Sequence, residues 1–156
     1  MFLPNANLIV DVTPTVLNSD AYDAGDVLFD TTEITNAVPY AGGNVLLQSL
    51  TVLDKDDQAA AAMTLYFLQT DVSLGTKDAA VSITDANATE ILGVVPIAVG
   101  DWSDLINSRL ACIKNVGLLL QAAPTSKHLY VAATTAGTPT QTTGGIVLTF
   151  GFRWLK

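Results

Sequence analysis

The sequence contains few of the side chains on which enzymes and metal sites depend. Its 156 residues include one cysteine, Cys112, and one histidine, His128. A single cysteine excludes an intrachain disulfide and a cysteine-rich zinc site. The histidine stands at the start of a predicted strand, and the sequence lacks the Gly-x-Ser-x-Gly motif that exposes a nucleophilic serine. We therefore predict that the protein is not an enzyme and has no catalytic, cofactor-binding or metal-binding residues.

Charge is also scarce, and most of it is negative. Charged residues make up 14% of the chain, against about 25% in a typical protein. Seven Lys and Arg residues against fifteen Asp and Glu residues give a net charge of −8. Phosphate backbones and anionic lipid surfaces repel such a chain, so we predict neither nucleic acid nor membrane as a partner. Few charges also leave a surface rich in Thr, Ala and Leu, which favours self-association or a permanent partner.

No apolar run approaches the roughly 18 residues that a membrane-spanning helix needs. The first residues, Met1 to Asn7, contain no basic side chain, so they do not indicate a secretory signal peptide.

The residues that are abundant favour strands. Glu, which helices favour on their solvent faces, occurs only twice, whereas Thr, Val, Leu and Ile recur in short runs separated by Gly, Pro, Asn and Asp. This pattern predicts an all-β fold, a mainly antiparallel β-sandwich or jelly roll, with one short helix. The helix is expected at 82–92, with Ser82 or Thr84 as its cap and Gly93 just beyond its end.

Four regions carry the clearest strand signals. The alternation from Leu8 to Val16 predicts a strand that Pro14 places at a sheet edge or ends in a bulge. The runs 45–53 and 63–69 flank a polar turn and predict a hairpin or a crossing between sheets. The last third predicts strands at 116–121, 129–134 and 146–154, the first two of them paired through the turn at 123–126.

The final strand, 146–154, carries large apolar side chains that all point to one side. Burial of such a row would stabilise the fold by roughly 1.5–3 kcal/mol per side chain. These side chains are Ile146, Leu148, Phe150, Phe152 and Trp154. We predict a single β-sandwich domain, residues 9–156, preceded by an N-terminal arm, residues 1–8.

Two acidic segments are candidates for chemistry. The run Asp54-Lys55-Asp56-Asp57-Gln58 is similar to the start of a calcium loop, but the glycine and glutamate that complete that motif do not follow. We expect a solvated turn there. Asp20, Asp23, Asp26 and Asp30 form the second segment; glycoside hydrolysis needs two carboxylates at a defined separation, and the sequence predicts only an acidic loop.

Several segments resemble small structural proteins encoded by tailed bacteriophages. They are residues 24–30 (AGDVLFD), 47–58 (LQSLTVLDKDDQ) and 74–80 (LGTKDAA), followed by 115–118, 129–132 and 137–140. The resemblance extends from about Val10 to Phe152 and points to the capsid decoration, or cement, proteins. It implies a β-rich, often trimeric subunit on the outer surface of the virion that clamps neighbouring subunits of the major capsid protein. The implied partners are the major capsid protein and the chain itself, as a homotrimer.

The resemblance assigns no functional residue, so interface residues are predicted from their position outside the regular strands. We expect Phe2 and Leu3 in the arm, and Asp54, Asp56 and Asp57 in the acidic turn, to face partners.

Two other functions remain open. The first is a different virion component, such as a head–tail adaptor, a tail-tube subunit or a fibre-base module. The second is a carbohydrate-binding jelly roll, in which Trp102, Tyr22, Tyr40, Tyr66 or Tyr130 would stack on sugar rings.

Overall fold

The chain forms short strands wherever apolar and polar side chains alternate. A computed structural model describes residues 6–17 and 19–155. Within these residues the strands are β1 Asn7–Val12, β2 Val27–Ile34, β3 Asn44–Asp54, β4 Met63–Leu68, β5 Ile91–Ile97, β6 Trp102–Asp104, β7 Arg109–Gln121, β8 Leu129–Thr135 and β9 Ile146–Trp154. One four-residue helix, α1 Asp85–Ala88, precedes β5, and a 3-10 turn at Val99–Asp101 precedes β6.

The strands build two antiparallel sheets. One has the order β1-β9-β3-β7-β6 and the other the order β2-β8-β4-β5. The first strand therefore pairs with the last, β2 with β8, β3 with β7 and β4 with β5. A long antiparallel ribbon that is folded over on itself in this way is a jelly roll, to which the short β6 adds one edge. The predicted fold class is confirmed.

The core lies between the two sheets. Every second side chain of β9 from Ile146 to Phe152 is at most 1% exposed, and Trp154 packs at the margin of the same cluster. Phe150 is central: its ring lies 5.6 Å from that of Phe67, edge to face, and 5.9 Å from that of Phe152. The inward row that the sequence predicts in the last strand is confirmed.

The segment between β4 and β5 covers part of the outer face of the four-stranded sheet. Leu74 inserts beside Leu68 and Ala132 and completes a second, smaller apolar cluster. The Asp30 carboxylate holds this segment in place, because it accepts hydrogen bonds from Ser73 Oγ at 2.7 Å and from the Leu74 amide at 2.8 Å.

Two details of the pairing differ from the sequence-based expectations. The expected pairing of 116–121 with 129–134 is wrong, because β7 and β8 lie in different sheets and the turn between them is a crossing. For the runs 45–53 and 63–69, the crossing between sheets is confirmed and the hairpin is not formed. Strand β1 starts at Asn7, so Asn7 and Leu8 of the predicted arm are part of the sheet.

The predicted helix is much shorter than its pattern suggested. Thr84 caps it by accepting a hydrogen bond from the Asn87 amide, and it ends at Ala88. Ile91 and Leu92, which were expected on the helix, belong instead to β5. Pairing with β4 and contact with the second apolar cluster hold Ile91 in the strand, whereas α1 buries no residue at all.

Candidate interaction site

The acidic turn after β3 is folded around the carboxylate of Asp54. This side chain is 5% exposed. It accepts hydrogen bonds from the backbone amides of Asp56 at 2.9 Å and Gln58 at 3.3 Å, and from Gln141 Nε2 at 3.4 Å. The first predicted interface carboxylate is therefore an internal element of the turn.

The same turn is bonded to the loop that precedes β9. The Asp56 carboxylate accepts hydrogen bonds from the Thr142 amide at 2.8 Å and from Thr142 Oγ1 at 2.6 Å. The Gln58 side-chain oxygen accepts one from the Thr140 amide at 2.9 Å. Asp57 forms an ion pair of 3.3 Å with Arg109 Nε. The turn and the loop thus form one polar lock, residues 54–58 with 140–145. No local pattern in the sequence indicates the partners in the loop.

Burial raises the pKa of the Asp54 carboxyl above its ordinary value of 3.8, and the nearby Asp56 carboxylate adds to the increase, while the three hydrogen bonds oppose it. A cavity of about 20 Å³ lies beside Asp54 and is also lined by Gln141, Met63 and Trp102. That volume is enough for one water molecule. Gln141 Oε1, which is buried, has no hydrogen-bond partner among the described residues.

The predicted interface residues are therefore not equivalent. Asp54 is buried, whereas Asp56 and Asp57 are half-buried at the surface of the lock. Phe2 and Leu3 lie outside the described residues. Contact of these residues with a partner stays a prediction.

The outer face of the five-stranded sheet is broad and nearly uncharged. It carries the side chains of Asn7, Ile9, Asp11, Leu46, Ser49, Thr51, Leu53, Leu110, Cys112, Lys114, Leu119, Val147, Thr149 and Arg153, and it includes Gly151. Two of its aliphatic side chains are well exposed, Ile9 at 71% and Leu119 at 59%. A face of this composition is suited to contact with another protein surface. The sequence indicates the exposure of Ile9 through the alternation of β1, because Ile9 is an apolar residue at a position where that pattern places side chains toward solvent.

Three residues of the second acidic segment, Asp20, Asp23 and Asp26, form a cluster of carboxylates with Asp78, whereas Asp30 binds Ser73 and Leu74. Desolvation and the negative charges of Asp26, Asp23 and Asp20 raise the pKa of Asp78 above its ordinary value of 3.8. Within residues 6–17 and 19–155, no group of three or more His, Cys, Asp or Glu side chains has the geometry to hold a metal ion.

The His128 side chain contacts residues at the end of β2. Its Nδ1 accepts a hydrogen bond from the Asn36 amide at 3.2 Å and lies 3.3 Å from Glu33 Oε1. These contacts tie the start of β8 to the end of β2.

The aromatic residues considered as sugar platforms do not share one surface. Tyr22 is 1% exposed, and its hydroxyl donates to the Leu28 carbonyl. Trp102 is half-buried and donates from Nε1 to the Ala61 carbonyl at 2.9 Å. Tyr66 and Tyr130 pack against the second apolar cluster, so only Tyr40, at 50%, is well exposed among the five.

None of the helices in the described part of the chain has the length and apolar character required to cross a membrane.

Comparison with models of known protein families gives no match. Comparison with curated proteins gives no match either. Among solved structures, the chain is similar to one from tomato aspermy virus, with 10% identity, coverage of 97% of this chain and 78% of that one, and a TM-score of 0.43. It is also similar to a chain of the virus-like particle of extra small virus from the giant freshwater prawn Macrobrachium rosenbergii. The identity is 11%, the match covers 97% of this chain and 78% of that one, and the TM-score is 0.38.

A third similar chain comes from turnip yellow mosaic virus, with 14% identity, coverage of 97% of this chain and 94% of that one, and a TM-score of 0.32. All three structures are of viruses. At these identities and TM-scores, the similarities assign neither a family nor a function to the chain.

Proposed function

We propose that this chain is a structural protein of a virus particle, and specifically a decoration, or cement, subunit on the outside of a bacteriophage capsid. In this role it binds the assembled shell and stabilises contacts between subunits of the major capsid protein. It acts as a homo-oligomer, with a homotrimer as the proposed state. The observation that carries the proposal is the jelly-roll sandwich with a broad, nearly uncharged outer sheet face.

The fold supports a structural role because jelly rolls are frequent in capsid and binding domains, although a fold alone does not determine function. The surface adds a more specific argument. Thr, Ser and aliphatic side chains dominate the outer face of the five-stranded sheet, where Lys114 and Arg153 are its cations and Asp11 its anion. Such a surface loses little solvation energy from buried charge when it docks on another protein.

A protein that binds the assembled lattice better than its free parts stabilises the lattice by mass action. An oligomer that touches several equivalent capsid sites gains further through effective concentration. We propose that Phe2 and Leu3, with the surface carboxylates Asp56 and Asp57 of the polar lock, contribute to the contact. An arm before β1 can bind along a neighbouring subunit as an added strand.

Co-sedimentation with capsids that lack the protein tests this function. Increasing amounts of the purified chain are spun with undecorated capsids of the source virus, and the bound copies per capsid are measured. We expect binding that saturates at a fixed number set by the capsid lattice, and weaker binding after deletion of residues 1–5. A matched control is Val99→Ser, which changes an exposed apolar residue outside the proposed contact.

Bound protein that rises without saturation, or chain that stays in the supernatant, would contradict the decoration role. Recovery of the chain in tail fractions would favour the other virion components considered above. The carbohydrate-binding alternative receives no support from the scattered positions of its five aromatic residues.

A further inference from the structure

We propose that the free edge of β1 is a self-association site, at which β1 of one subunit pairs with β1 of a second copy of this chain. The pairing is antiparallel about a two-fold axis through Ile9. It joins two five-stranded sheets into one continuous sheet. This contact goes beyond the proposed capsid binding and needs no capsid to form.

The hydrogen bonds to β9 identify the backbone groups that remain free. The Trp154 amide donates to the Ala6 carbonyl at 2.9 Å, so these two residues are a hydrogen-bonded pair in the β1–β9 ladder. Such pairs alternate along an antiparallel ladder. The N–H and C=O groups of Asn7, Ile9 and Asp11 therefore point away from β9, and no described residue bonds to them.

The other sheet edges are protected, whereas no described residue pairs with the outer edge of β1. Strand β2 is irregular, with two register shifts, and the segment 77–79 bonds to its first residue. Pro96 removes a donor from β5, and β6 has only three residues. Bulges, prolines and short length are the usual protections of an edge against added strands. In contrast, β1 is regular over six residues.

The residues that face the free edge fit a second copy of themselves. An antiparallel partner centred on Ile9 places Ile9 opposite its symmetry mate and Asn7 opposite the Asp11 of the second copy. The three pairs supply about six backbone hydrogen bonds. Ile9, which is 71% exposed and lies beside Gly151 in the sheet, gains an apolar neighbour of its own kind.

Other registers are less favourable. A shift that centres the pairing on Asp11 places two carboxylates directly opposite each other, which is destabilising. A shift of one residue pair places Ile9 opposite Asp11 instead of opposite Ile9. Only the register centred on Ile9 opposes an apolar residue to an apolar residue and a carboxylate to an amide.

The charge of Arg153 also favours a second copy of the chain as the partner at this edge. It lies next to Asn7 in the register of the sheet, and it forms no ion pair with a described residue. Its Nε is buried without a hydrogen-bond partner. In the proposed pair, the Asp11 of the second copy lies two strands from Arg153, about 10 Å between Cα atoms. An arginine side chain spans most of that distance, so each subunit gains a cross-subunit charge contact.

The contact is isologous, because the same edge is used on both sides. A two-fold contact does not build a trimer, because the ring of a trimer joins two different surfaces of each subunit head to tail. It would instead link one oligomer to its neighbour.

Charge variants of Ile9 test the pairing in the isolated full-length chain. Masses are measured by analytical ultracentrifugation over a series of concentrations for the wild type, Ile9→Lys and Ile9→Glu. We expect each variant to have half the wild-type mass or less, because like charges would be placed opposite each other. An equimolar mixture of the two variants should recover the wild-type mass. Val99→Lys, an equally drastic change at an exposed apolar residue outside both the β1 edge and the outer sheet face, should leave the mass unchanged.

Amide hydrogen exchange gives an independent measurement. Pairing protects the amides of Asn7, Ile9 and Asp11 in the wild type and leaves them unprotected in Ile9→Lys, whereas the Leu8 and Val10 amides stay protected in both. Equal masses for wild type and Ile9→Lys, or a mixture that does not recover the wild-type mass, would overturn the proposal. Protection of the three amides only after capsids are added would also overturn it, because the occupant would then be a capsid protein. Failure of capsid binding in the co-sedimentation experiment leaves this result unaffected.

Discussion

Replacing Asp54 tests whether the polar lock is a determinant of stability. Asp54→Ala leaves three donors without their acceptor: the Asp56 amide at 2.9 Å, the Gln58 amide at 3.3 Å and Gln141 Nε2 at 3.4 Å. Hydrogen bonds to a charged group contribute about 1.5–3 kcal/mol, and the two longer bonds contribute less. We therefore expect a loss of about 2–4 kcal/mol in the free energy of unfolding. For a domain of this size each kcal/mol lowers Tm by roughly 2–4 °C.

Asp54→Asn is the matched variant, because it keeps the shape of the side chain. Its oxygen can still accept from the Asp56 amide, whereas its NH₂ group takes the place of the oxygen that accepts from Gln58 and Gln141. A flip of the Gln141 amide would turn its unpartnered Oε1 toward this NH₂ group. We expect a loss of about 1 kcal/mol. Urea unfolding, followed by tryptophan fluorescence and circular dichroism, measures both variants. A loss below about 0.5 kcal/mol for Asp54→Ala is typical of an exposed residue without partners and would refute this account of the turn.

The pH dependence separates the charge of Asp54 from its shape. Burial raises its pKa in the folded state above 3.8, so the folded protein binds more protons than the unfolded chain between the two values. The part of the stability that comes from this raised pKa is therefore complete below 3.8 and is lost as pH rises through the raised pKa, while the hydrogen bonds to the carboxylate remain. The stability of the wild type relative to Asp54→Asn should fall as pH increases through this window. An increase over the same window would contradict the assignment.

Three further variants test other parts of the fold by urea unfolding. Phe150→Ala removes the central ring of the core and should cost about 3–5 kcal/mol; a cost below about 1.5 kcal/mol would contradict its central place. Tyr22→Phe leaves the Leu28 carbonyl and the Leu17 amide without the hydroxyl and should cost about 1–2 kcal/mol, whereas an unchanged midpoint would contradict this role of the hydroxyl. Desolvation raises the pKa of Asp30, but its hydrogen bonds outweigh this effect and lower the pKa below the ordinary value of 3.8. The difference in stability between wild type and Asp30→Asn should therefore shrink as pH falls through 3.8 and below. A constant difference would contradict this role.

The fold class could be predicted because it depends on local patterns. Period-two alternation identified the strands near 8–12 and 146–154, a run that is apolar at both odd and even positions identified 45–53, and the scarcity of Glu argued against helices. The pairing of β7 with β3, and not with β8, could not be predicted, since a turn at 123–126 suits a hairpin and a crossing equally well. The helix was overestimated for a similar reason: Ile91 fits a helical stripe, and its pairing in β5 depends on β4, which is distant in sequence.

The candidate site was less predictable than the fold. The run 54–58 was recognised as polar, but burial of Asp54 depends on Gln141, which is 87 residues away. The free edge of β1 was partly visible, because Pro14 indicated an edge strand. The alternation of β1 places Ile9 on its solvent side, but no pattern within β1 shows that a glycine, Gly151, lies opposite it on β9.

Electron cryomicroscopy of capsids with and without the bound chain tests the decoration role most directly. The proposal predicts additional density on the outer surface of the decorated capsid, of a size that fits the two-sheet sandwich and bridging at least two subunits of the major capsid protein. Density confined to the tail or to the interior of the shell, or no additional density at saturating protein, would contradict it.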